Sequence, residues 1–506
     1  MNLLNFTGLI AIPLVSSPIV YLAGRLGTRD TTLRGRSYLV RVLALLAVLA
    51  AWLPFIISVQ TLLRGDLQEF NISTIRLHVD GISLLLAGSV LMLGTLVILF
   101  SGSYMAGEVG EEKYYAMLLA MMGLMIGLVS ASDLFNLWVW FEGMAVSSYL
   151  LVAFYREQAA SLEAGMKYLV QSATGSVLVL IGIAMVLAQT GTLDMTAIAA
   201  AVSGSGVNRF ALLGAGALFL IGFGVKVALV PLHTWLPDAH SQAPSGISAM
   251  LSGVVIEIGL IAMLRALAVL TGFALSWGIL LLAFGALNML YGNLLALRQT
   301  VVKRLLAYSS LSHIGYILVG LGIAIYSGVG LGAQGAFFHL FNHMLMKGLA
   351  FLAVGALMYG MFLKNGSHAA LKIKDLAGAA HRYPLVTLAL RIALLGLGGM
   401  PPLAGFMSKW QIFVAGFQTQ NGWIIALTVF MALNSVLSLG YYAPLVNIMY
   451  REQPSQQVLI GKPITWTIVL ALIVMASLVI LLGFAPGLMD WLTIPAGQRL
   501  MQMFGY

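Results

Sequence analysis

The sequence contains no cysteine among its 506 residues. Thiolate-ligated iron–sulfur clusters, disulfides and thiol nucleophiles are therefore excluded from the chemistry of this chain. Charge is also scarce, because Asp, Glu, Lys and Arg make up 8% of the residues, against roughly a quarter in an average soluble protein. Long polar segments are missing as well. The longest polar connections, 64–81 and 363–382, are too short to hold a nucleotide-binding or redox domain.

Apolar residues dominate what is present. The residue types AVILMFWYC make up 60% of the chain, and the mean hydropathy is +0.98. Apolar stretches recur at intervals of roughly 25 to 35 residues, and each exceeds the roughly 20 residues that a helix needs to cross a bilayer. The sequence therefore predicts an all-α polytopic membrane protein.

We predict about fourteen transmembrane helices, with boundaries good to a few residues. They lie at approximately 3–24, 39–63, 81–103, 114–131, 133–155, 164–189, 211–236, 246–271, 275–297, 302–324, 332–361, 384–416, 424–450 and 464–486.

The formal net charge of +9 could indicate a nucleic-acid partner, but a membrane protein carries such an excess in its cytoplasmic loops. Alternate loops of this chain differ strongly in their number of basic residues, and the loops on one side of the membrane carry most of the 26 lysines and arginines. The positive-inside rule then predicts a multi-pass protein of the cell inner (plasma) membrane with both termini on the non-cytoplasmic side. We expect the lipid bilayer as a partner, and no nucleic acid.

Six charged side chains lie deep inside the predicted spans, seven or more residues from either end, where charge is costly and usually faces a protein interior or a hydrated path. They are Glu142, Lys226, Glu257, Lys347, Arg391 and Lys409.

Two of the predicted spans contain proline near their middle, at Pro231 and at Pro401-Pro402. Lys226 lies close to the first interruption and Lys409 close to the second. Interrupted helices at corresponding places in two halves predict an inverted repeat. We therefore expect two inverted five-helix units at 111–272 and 273–451, preceded by three helices at 1–110 and followed by a last helix and tail at 452–506. A purely structural proline kink is the alternative.

Glu142 lies nine residues beyond the acidic boundary residue Asp133, about 13 Å into the membrane at 1.5 Å per residue. A short glutamate cannot reach the surface from that depth. Its simplest interpretation is a neutral, hydrogen-bonded acid. A static ion pair between Glu142 and Lys226 and a functional pair are the other two interpretations.

His339, His343 and Lys347 are spaced four residues apart and therefore line one helical face. A row of imidazoles and an ammonium group is suited to carry protons. We expect water molecules between them, because neighbouring side chains on one helix are too far apart to exchange a proton. Ser309 and His313 form a second such pair on the preceding helix. A zinc site is the competing interpretation of the two histidines, but the sequence places no carboxylate or cysteine near them.

Two further histidines, His233 and His240, flank the first interruption and the loop after it. A lone histidine of this kind is more often a structural, hydrogen-bonded group.

Five segments together carry a resemblance to a known family. They are LFNLWVWFEGMAVSSYLLVAF (134–154), KVALVPLHTWLPDAHSQAPSGISAMLSG (226–253), KRLLAYSSLSHIGYILVGL (303–321), FFHLFNHMLMKGLAFLAVGAL (337–357) and GLGGMPPLAGFMSKWQIF (396–413). In this order they resemble the antiporter-like membrane-arm subunits of complex I, a family shared with Mrp-type cation/proton antiporters and energy-converting hydrogenases. The resemblance covers about residues 80–450.

The resemblance implies a fourteen-helix fold with a chain of charged groups across the membrane midplane. Glu142 and Lys226 match the glutamate–lysine pair of the first unit, Lys347 the bridging group, and Lys409 the terminal group of the second unit. Many relatives have a lysine in the eighth span, where this chain has Glu257. We therefore expect Glu257 to associate with a buried cation, with Lys347 the first candidate and Arg391 the second. The alternative is a neutral Glu257 that is hydrogen-bonded to the backbone, with the Arg391 side chain extended to the membrane interface.

The function implied is proton translocation by a subunit of a complex I-like NADH:quinone oxidoreductase, with no redox chemistry and no cofactor on this chain. The expected proton-carrying residues are Glu142, Lys226, His233, Glu257, His313, His339, His343, Lys347 and Lys409. The expected partners are protons, possibly sodium ions, and the other membrane and redox subunits of a complex. The alternatives are a subunit of a sodium/proton antiporter or of a hydrogenase-linked complex, and a membrane partner in inorganic-carbon uptake or a transport-inactive scaffold.

Overall fold

A computed structural model describes residues 3–26, 33–64, 68–72, 75–204 and 206–506 of the chain. The described chain is almost entirely helical. In chain order its helices are α1 (Leu3–Leu26), α2 (Leu33–Leu63), α3 (Gly81–Tyr104), α4 (Glu111–Val129), α5 (Leu134–Val152), α6 (Ala159–Thr190), α7 (Met195–Val202), α8 (Arg209–Val227), α9 (Trp235–Gln242), α10 (Ser245–Met250), α11 (Ile256–Ala268), α12 (Ala274–Leu297), α13 (Val302–Ser327), α14 (Gly330–Met361), α15 (Ala379–Arg382), α16 (Pro384–Gly398), α17 (Ala404–Gln418), α18 (Gly422–Arg451), α19 (Gln456–Ile460), α20 (Trp466–Phe484) and α21 (Asp490–Met503).

The predicted all-α membrane architecture is confirmed. Within the described ranges, 12 helices are long and apolar enough to cross a membrane. The other two predicted spans correspond to α5 and to the interrupted pair α16 and α17. The exact count of spans, the inverted repeats and the domain boundaries stay predictions.

The polar connection 64–81 has regular structure in its described residues. It contains an antiparallel hairpin of β1 (Gln68–Ile72) and β2 (Ile75–Val79). The next residue, Asp80, caps α3: its side chain accepts a hydrogen bond from the Ser83 backbone N–H. This pairing satisfies N–H groups that the first turn of a helix leaves free.

Asp80 also fixes three distant helices to one another. Its buried carboxylate accepts bonds of 3.0 and 2.9 Å from Arg265 at the end of α11 and one of 3.2 Å from Arg499 of α21. Burial alone would raise the pKa of Asp80, but Arg265 and the hydrogen bonds from Ser83 lower it to about 2. The charged carboxylate therefore ties the last helix to the centre of the molecule.

Helix α14 is the central helix, and almost all of its residues are buried. Helix α13 packs beside it and places His313 within hydrogen-bond distance of His339. On its other side α13 approaches α12 closely: a Cβ atom added to Gly292 of α12 would lie 2.6 Å from the Ser312 nitrogen of α13.

The predicted span 246–271 is interrupted in a way that the sequence did not indicate. Helix α10 passes into a short π-helical turn over Leu251–Val255 before α11 begins. Such turns are rare and often occur at functional sites. This one lies two residues before Glu257.

Candidate functional site

The first helix break lies between α8 and α9. Ala228 there adopts a left-handed conformation with φ of 58°. Asn288 of α12 accepts a bond from the Val230 N–H at 2.9 Å and donates one to the Ala228 carbonyl at 3.3 Å. The Trp235 indole donates to the Val225 carbonyl at 2.7 Å. Protein groups therefore satisfy the backbone that the break frees.

Lys226 lies in the last turn of α8 and is 1% exposed. Its ammonium donates a hydrogen bond to the Tyr168 hydroxyl and lies 4.5 Å from the centre of that ring. The Tyr168 ring stacks on Trp235 at 3.9 Å. The ring that holds Lys226 is thus itself fixed by Trp235, which lies just after the break and bonds the last turn of α8.

Glu142 lies within electrostatic range of Lys226. Both residues are described, and they form no ion pair within 4.0 Å of each other. The Glu142 Oε1 atom is buried and has no hydrogen-bond partner in the described chain. The static ion pair considered from the sequence is therefore not formed.

The second helix break lies between α16 and α17, where Gly399 has a positive φ of 77°. Lys409 of α17 is 2% exposed. Its ammonium donates to the Leu397 carbonyl at 2.9 Å and to the Ser435 hydroxyl at 2.8 Å. Here the lysine itself satisfies the backbone of the broken helix.

A polar cluster lies between α11, α13, α14 and α17. His343 and Glu257 are fully buried, and the His343 Nδ1 atom lies 2.8 Å from a Glu257 carboxylate oxygen. The His313 Nδ1 atom lies 3.1 Å from His339 Nε2, and His339 Nδ1 lies 2.9 Å from the Ser408 hydroxyl. The His313 and His343 rings stack with their centres 5.2 Å apart. The cluster therefore extends from Glu257 to the residue that precedes Lys409.

Side chains of neighbouring helices lie between the widely spaced polar residues of α14. Successive residues of α14 do lie a helical turn apart, but His313 of α13 and Ser408 of α17 each lie within hydrogen-bond distance of His339. Neighbouring helices thus supply the intervening groups.

Lys347 is fully buried. Its ammonium donates to the Ser309 hydroxyl and to the Leu306 carbonyl, the latter at 2.8 Å. The expected ion pair of Glu257 with Lys347 or Arg391 is not formed within the described ranges. Lys347 points instead to α13, and Glu257 bonds to His343.

Arg391 is exposed on the outer face of α16, where its guanidinium lies 5.4 Å from the centre of the Tyr450 ring. His233 is not part of the cluster either. Its ring is only partly buried and lies 6.4 Å from the ring of Tyr308.

A zinc site at the two histidines of α14 would need further ligands. The described residues contain no group of three or more histidine, cysteine or acidic side chains placed to hold an ion.

Two features of the site escaped the sequence analysis. Lys303 is buried at the start of α13 and donates to the Ala243 carbonyl at 2.7 Å, although it lies at a predicted span boundary. Asp238 of α9 bonds both Lys167 of α6 and Arg304 of α13. Burial would raise the pKa of Asp238, but the bonds from these two cations hold it below its usual value.

Comparisons with known proteins give a consistent result. The family described as NADH:quinone oxidoreductase/Mrp antiporter, TM matches residues 131–435, and that described as NADH-ubiquinone oxidoreductase (complex I), chain 5 N-terminus, matches residues 66–115. Subunit N of the NADH-quinone oxidoreductase of Trichlorobacter lovleyi is 35% identical over 79% of this chain and 80% of its own length.

Two solved structures share the fold over nearly the whole chain. A chain of the membrane-bound sulfane sulfur reductase, an archaeal respiratory membrane complex, aligns with a TM-score of 0.85 and 29% identity, over 99% of this chain and 98% of its own. A chain of respiratory complex I from Thermus thermophilus aligns with a TM-score of 0.75 and 26% identity, over 95% of this chain and 98% of its own.

Proposed function

The chain belongs to the NADH:quinone oxidoreductase/Mrp antiporter family of membrane proteins, and from that premise we propose that it is the proton-translocating, antiporter-like subunit of a complex I-like NADH:quinone oxidoreductase in the plasma membrane. One observation supports this most directly. Lysines buried in the described helices lie at both helix breaks and beside the histidine cluster: Lys226 at 1%, Lys347 at 0% and Lys409 at 2% exposure. Ionisable groups at such depth usually mark ion pathways.

In this proposal Glu142 and Lys226 form a switch. An approaching carboxylate favours the protonated amine, and a receding one favours release of its proton. In this proposal the arrangement in which Lys226 bonds Tyr168 is the separated state of the switch. A unit-charge pair at about 4 Å and an effective dielectric near 20 is worth roughly 4 kcal/mol. Moving one charge through about 180 mV requires roughly 4 kcal/mol. The free energy of one switching event therefore matches the work of translocating one proton.

The remaining groups carry the proton through the second unit. Glu257 and His343 would exchange it across their 2.8 Å contact. His313 and His339 would pass it across 3.1 Å toward Ser408, next to Lys409. Each imidazole can accept a proton on one nitrogen and release it from the other.

Electron transfer belongs to other subunits in this proposal. A chain without cysteine cannot ligate an iron–sulfur cluster through thiolates, and we assign no cofactor to it. Its partners are then the neighbouring membrane subunits and the redox subunits, and its substrate is the proton.

The test uses the intact complex in membrane vesicles with NADH and quinone. We expect Glu142→Gln and Lys226→Ala to remove most proton translocation while the complex still assembles. Lys374→Ala, which changes an exposed lysine of a loop, is the matched control and should translocate normally. Assembled complex with normal translocation in either test variant would refute the switch.

A second candidate is the same role in a respiratory membrane complex other than NADH:quinone oxidoreductase. It is favoured by the higher TM-score of the sulfane sulfur reductase chain, 0.85 against 0.75. Purification of the complex through a tag on this chain, followed by identification of the soluble subunits, decides between the two.

A further inference from the structure

The row of side chains at four-residue spacing on α14, called the stripe below, does not end at Lys347. After His343 and Lys347 it continues at Phe351, Gly355 and Tyr359. Four residues turn a helix about 40° past one full turn, so the stripe winds gradually around α14 as it passes outward. From 347 to 359 the helix rises about 18 Å, roughly half of a bilayer core about 30 Å thick. The stripe thus reaches from the buried lysine to the loops that are rich in lysine and arginine.

Helices α9 and α10 place polar groups against the inner part of this stripe. The His240 ring stacks on Phe351 with the ring centres 4.7 Å apart. Ser245 lies against Gly355, where an added Cβ atom would come within 2.4 Å of the serine Cβ. Only glycine at position 355 leaves room for this contact. His240 and Ser245 therefore lie one helical turn apart along α14.

His240 is unusual among the buried histidines of the described chain. It is 0% exposed, and neither of its ring nitrogens has a hydrogen-bond partner there. A neutral imidazole always carries one N–H donor and one acceptor, and buried polar groups are rarely left unpaired. Both nitrogens are thus free to exchange a proton with a mobile polar species.

The outer part of the stripe meets tyrosines. The Tyr104 hydroxyl lies 3.2 Å from the Ser245 hydroxyl, and its ring centre is 6.3 Å from that of Tyr359. The Tyr155 side chain lies beside Tyr104, and its buried hydroxyl has no partner within hydrogen-bond distance in the described ranges. A row of hydroxyl groups therefore leads outward from Ser245.

An acid–histidine pair lies at the surface end of this row. The Glu108 carboxylate is 3.8 Å from His368 Nε2, and the two side chains are 25% and 33% exposed. The Tyr155 ring lies 4.6 Å from the His368 ring. Burial raises the pKa of Glu108, His368 opposes this rise, and Glu111 adds to it. The carboxyl is thus accessible to solvent and more readily protonated than a free surface glutamate.

We propose that a proton-uptake path runs along this stripe of α14 from the surface to Lys347. Glu108 and His368 collect the proton at the outer end. Three hydroxyl groups then carry it inward, each accepting one proton and releasing another: those of Tyr155, Tyr104 and Ser245. His240 takes the proton on one ring nitrogen and releases it from the other toward Lys347. No electron moves in any of these steps. The path rests on the proposed function and adds to it the route by which the second unit is loaded.

The first test removes single hydroxyl groups in the intact complex in vesicles. Tyr104→Phe and Ser245→Ala should each slow NADH-driven proton uptake about tenfold, because each breaks one link in a row of buried hydrogen-bonding groups. Tyr115→Phe is the matched control. It removes a buried tyrosine hydroxyl of α4 that has no hydrogen-bond partner in the described chain, and it should leave the rate unchanged.

The second test separates proton delivery from packing. The double variant Glu108→Gln, His368→Gln should also slow uptake, and a small membrane-permeable weak acid such as azide should restore the rate, since it can bring protons past the missing groups. A slow rate that the acid does not restore would overturn the collecting role, and normal uptake by Tyr104→Phe would overturn the path.

The outcome for Lys347→Met distinguishes failure of the proposed path from failure of the proposed function on which the path rests. If Lys347→Met stops translocation while Tyr104→Phe does not slow it, the path is wrong and the proposed function stands. If Lys347→Met translocates protons normally in the assembled complex, the proposed function itself fails.

Discussion

The two broken helices each carry a buried lysine, yet they hold it in different ways. At the first break Lys226 bonds the Tyr168 hydroxyl and donates to no backbone carbonyl of the described chain. Asn288 and Trp235 satisfy the freed backbone there instead. At the second break Lys409 donates directly to the Leu397 carbonyl at 2.9 Å. That carbonyl lies at the end of α16, where the helix dipole is negative and favours a cation.

The difference separates two tasks that a buried lysine can perform. A lysine held only by a hydroxyl can lose its proton without disturbing the backbone of the break. A lysine that caps a helix end cannot, because deprotonation weakens its bond to the carbonyl. We therefore expect Lys226 to respond to Glu142 and Lys409 to couple its charge to the geometry of the second break.

The largest expected effect distinguishes the two lysines themselves. Lys226→Met and Lys409→Met should both stop proton translocation, but only Lys409→Met leaves the Leu397 carbonyl buried and unpaired. An unsatisfied buried group costs about 1–3 kcal/mol. Thermal unfolding of the purified complex should therefore show Lys409→Met to be less stable than Lys226→Met by that amount. Equal stability of the two variants would remove the distinction between the breaks.

The next effect concerns Asn288, the residue that stabilises the first break. Asn288→Ala leaves the Val230 N–H and the Ala228 carbonyl without their partner, and the loss should be about 1–3 kcal/mol. Translocation should fall as well, since the break positions Lys226. Both quantities can be measured on the same vesicle preparation.

Asn293→Ala is a close control for that variant. Asn293 lies on the same helix α12 and also makes two hydrogen bonds, to the Asn434 carbonyl and from the Tyr441 hydroxyl, but it does not touch a break. Its loss should lower stability by a similar amount and leave translocation unchanged. If both variants lose translocation equally, Asn288 is only a general structural residue.

The sequence predicted the position of each break but not how each is held. Lysine close to proline marked both breaks, and the four-residue spacing of His339, His343 and Lys347 predicted their common face. The partners could not be predicted in the same way. Tyr168 lies 58 residues from Lys226, and Ser408 lies 69 residues from His339. Spacing along one helix specifies a face, whereas the residues opposite that face depend on how distant helices pack.

A smaller effect is expected from the hydroxyl partners of the two lysines. Tyr168→Phe keeps the ring against Trp235 and removes the one polar group that bonds Lys226 in the described chain. Ser435→Ala leaves Lys409 its bond to Leu397. Translocation should therefore fall about fivefold in Tyr168→Phe, equivalent to about 1 kcal/mol, and less in Ser435→Ala. The reverse order would contradict the assignment of Lys226 as the more weakly held lysine.

The smallest effect concerns Asp238, which lies on α9 directly after the first break and bonds Lys167 and Arg304. Its pKa is held below the usual 3.8, so its contribution to stability is present above the unfolded-state pKa and is lost as the pH falls through the lower folded-state pKa. The side chain is 26% exposed, and the contribution should stay below about 1 kcal/mol and weaken with salt.

The measurement compares the thermal stability of the wild-type complex and Asp238→Asn from neutral pH down to about pH 3. The variant should be less stable at neutral pH, and the difference should shrink as the wild-type carboxylate becomes protonated. A stability difference that does not change with pH would mean that Asp238 acts through packing and that no charge holds α9 in place after the first break.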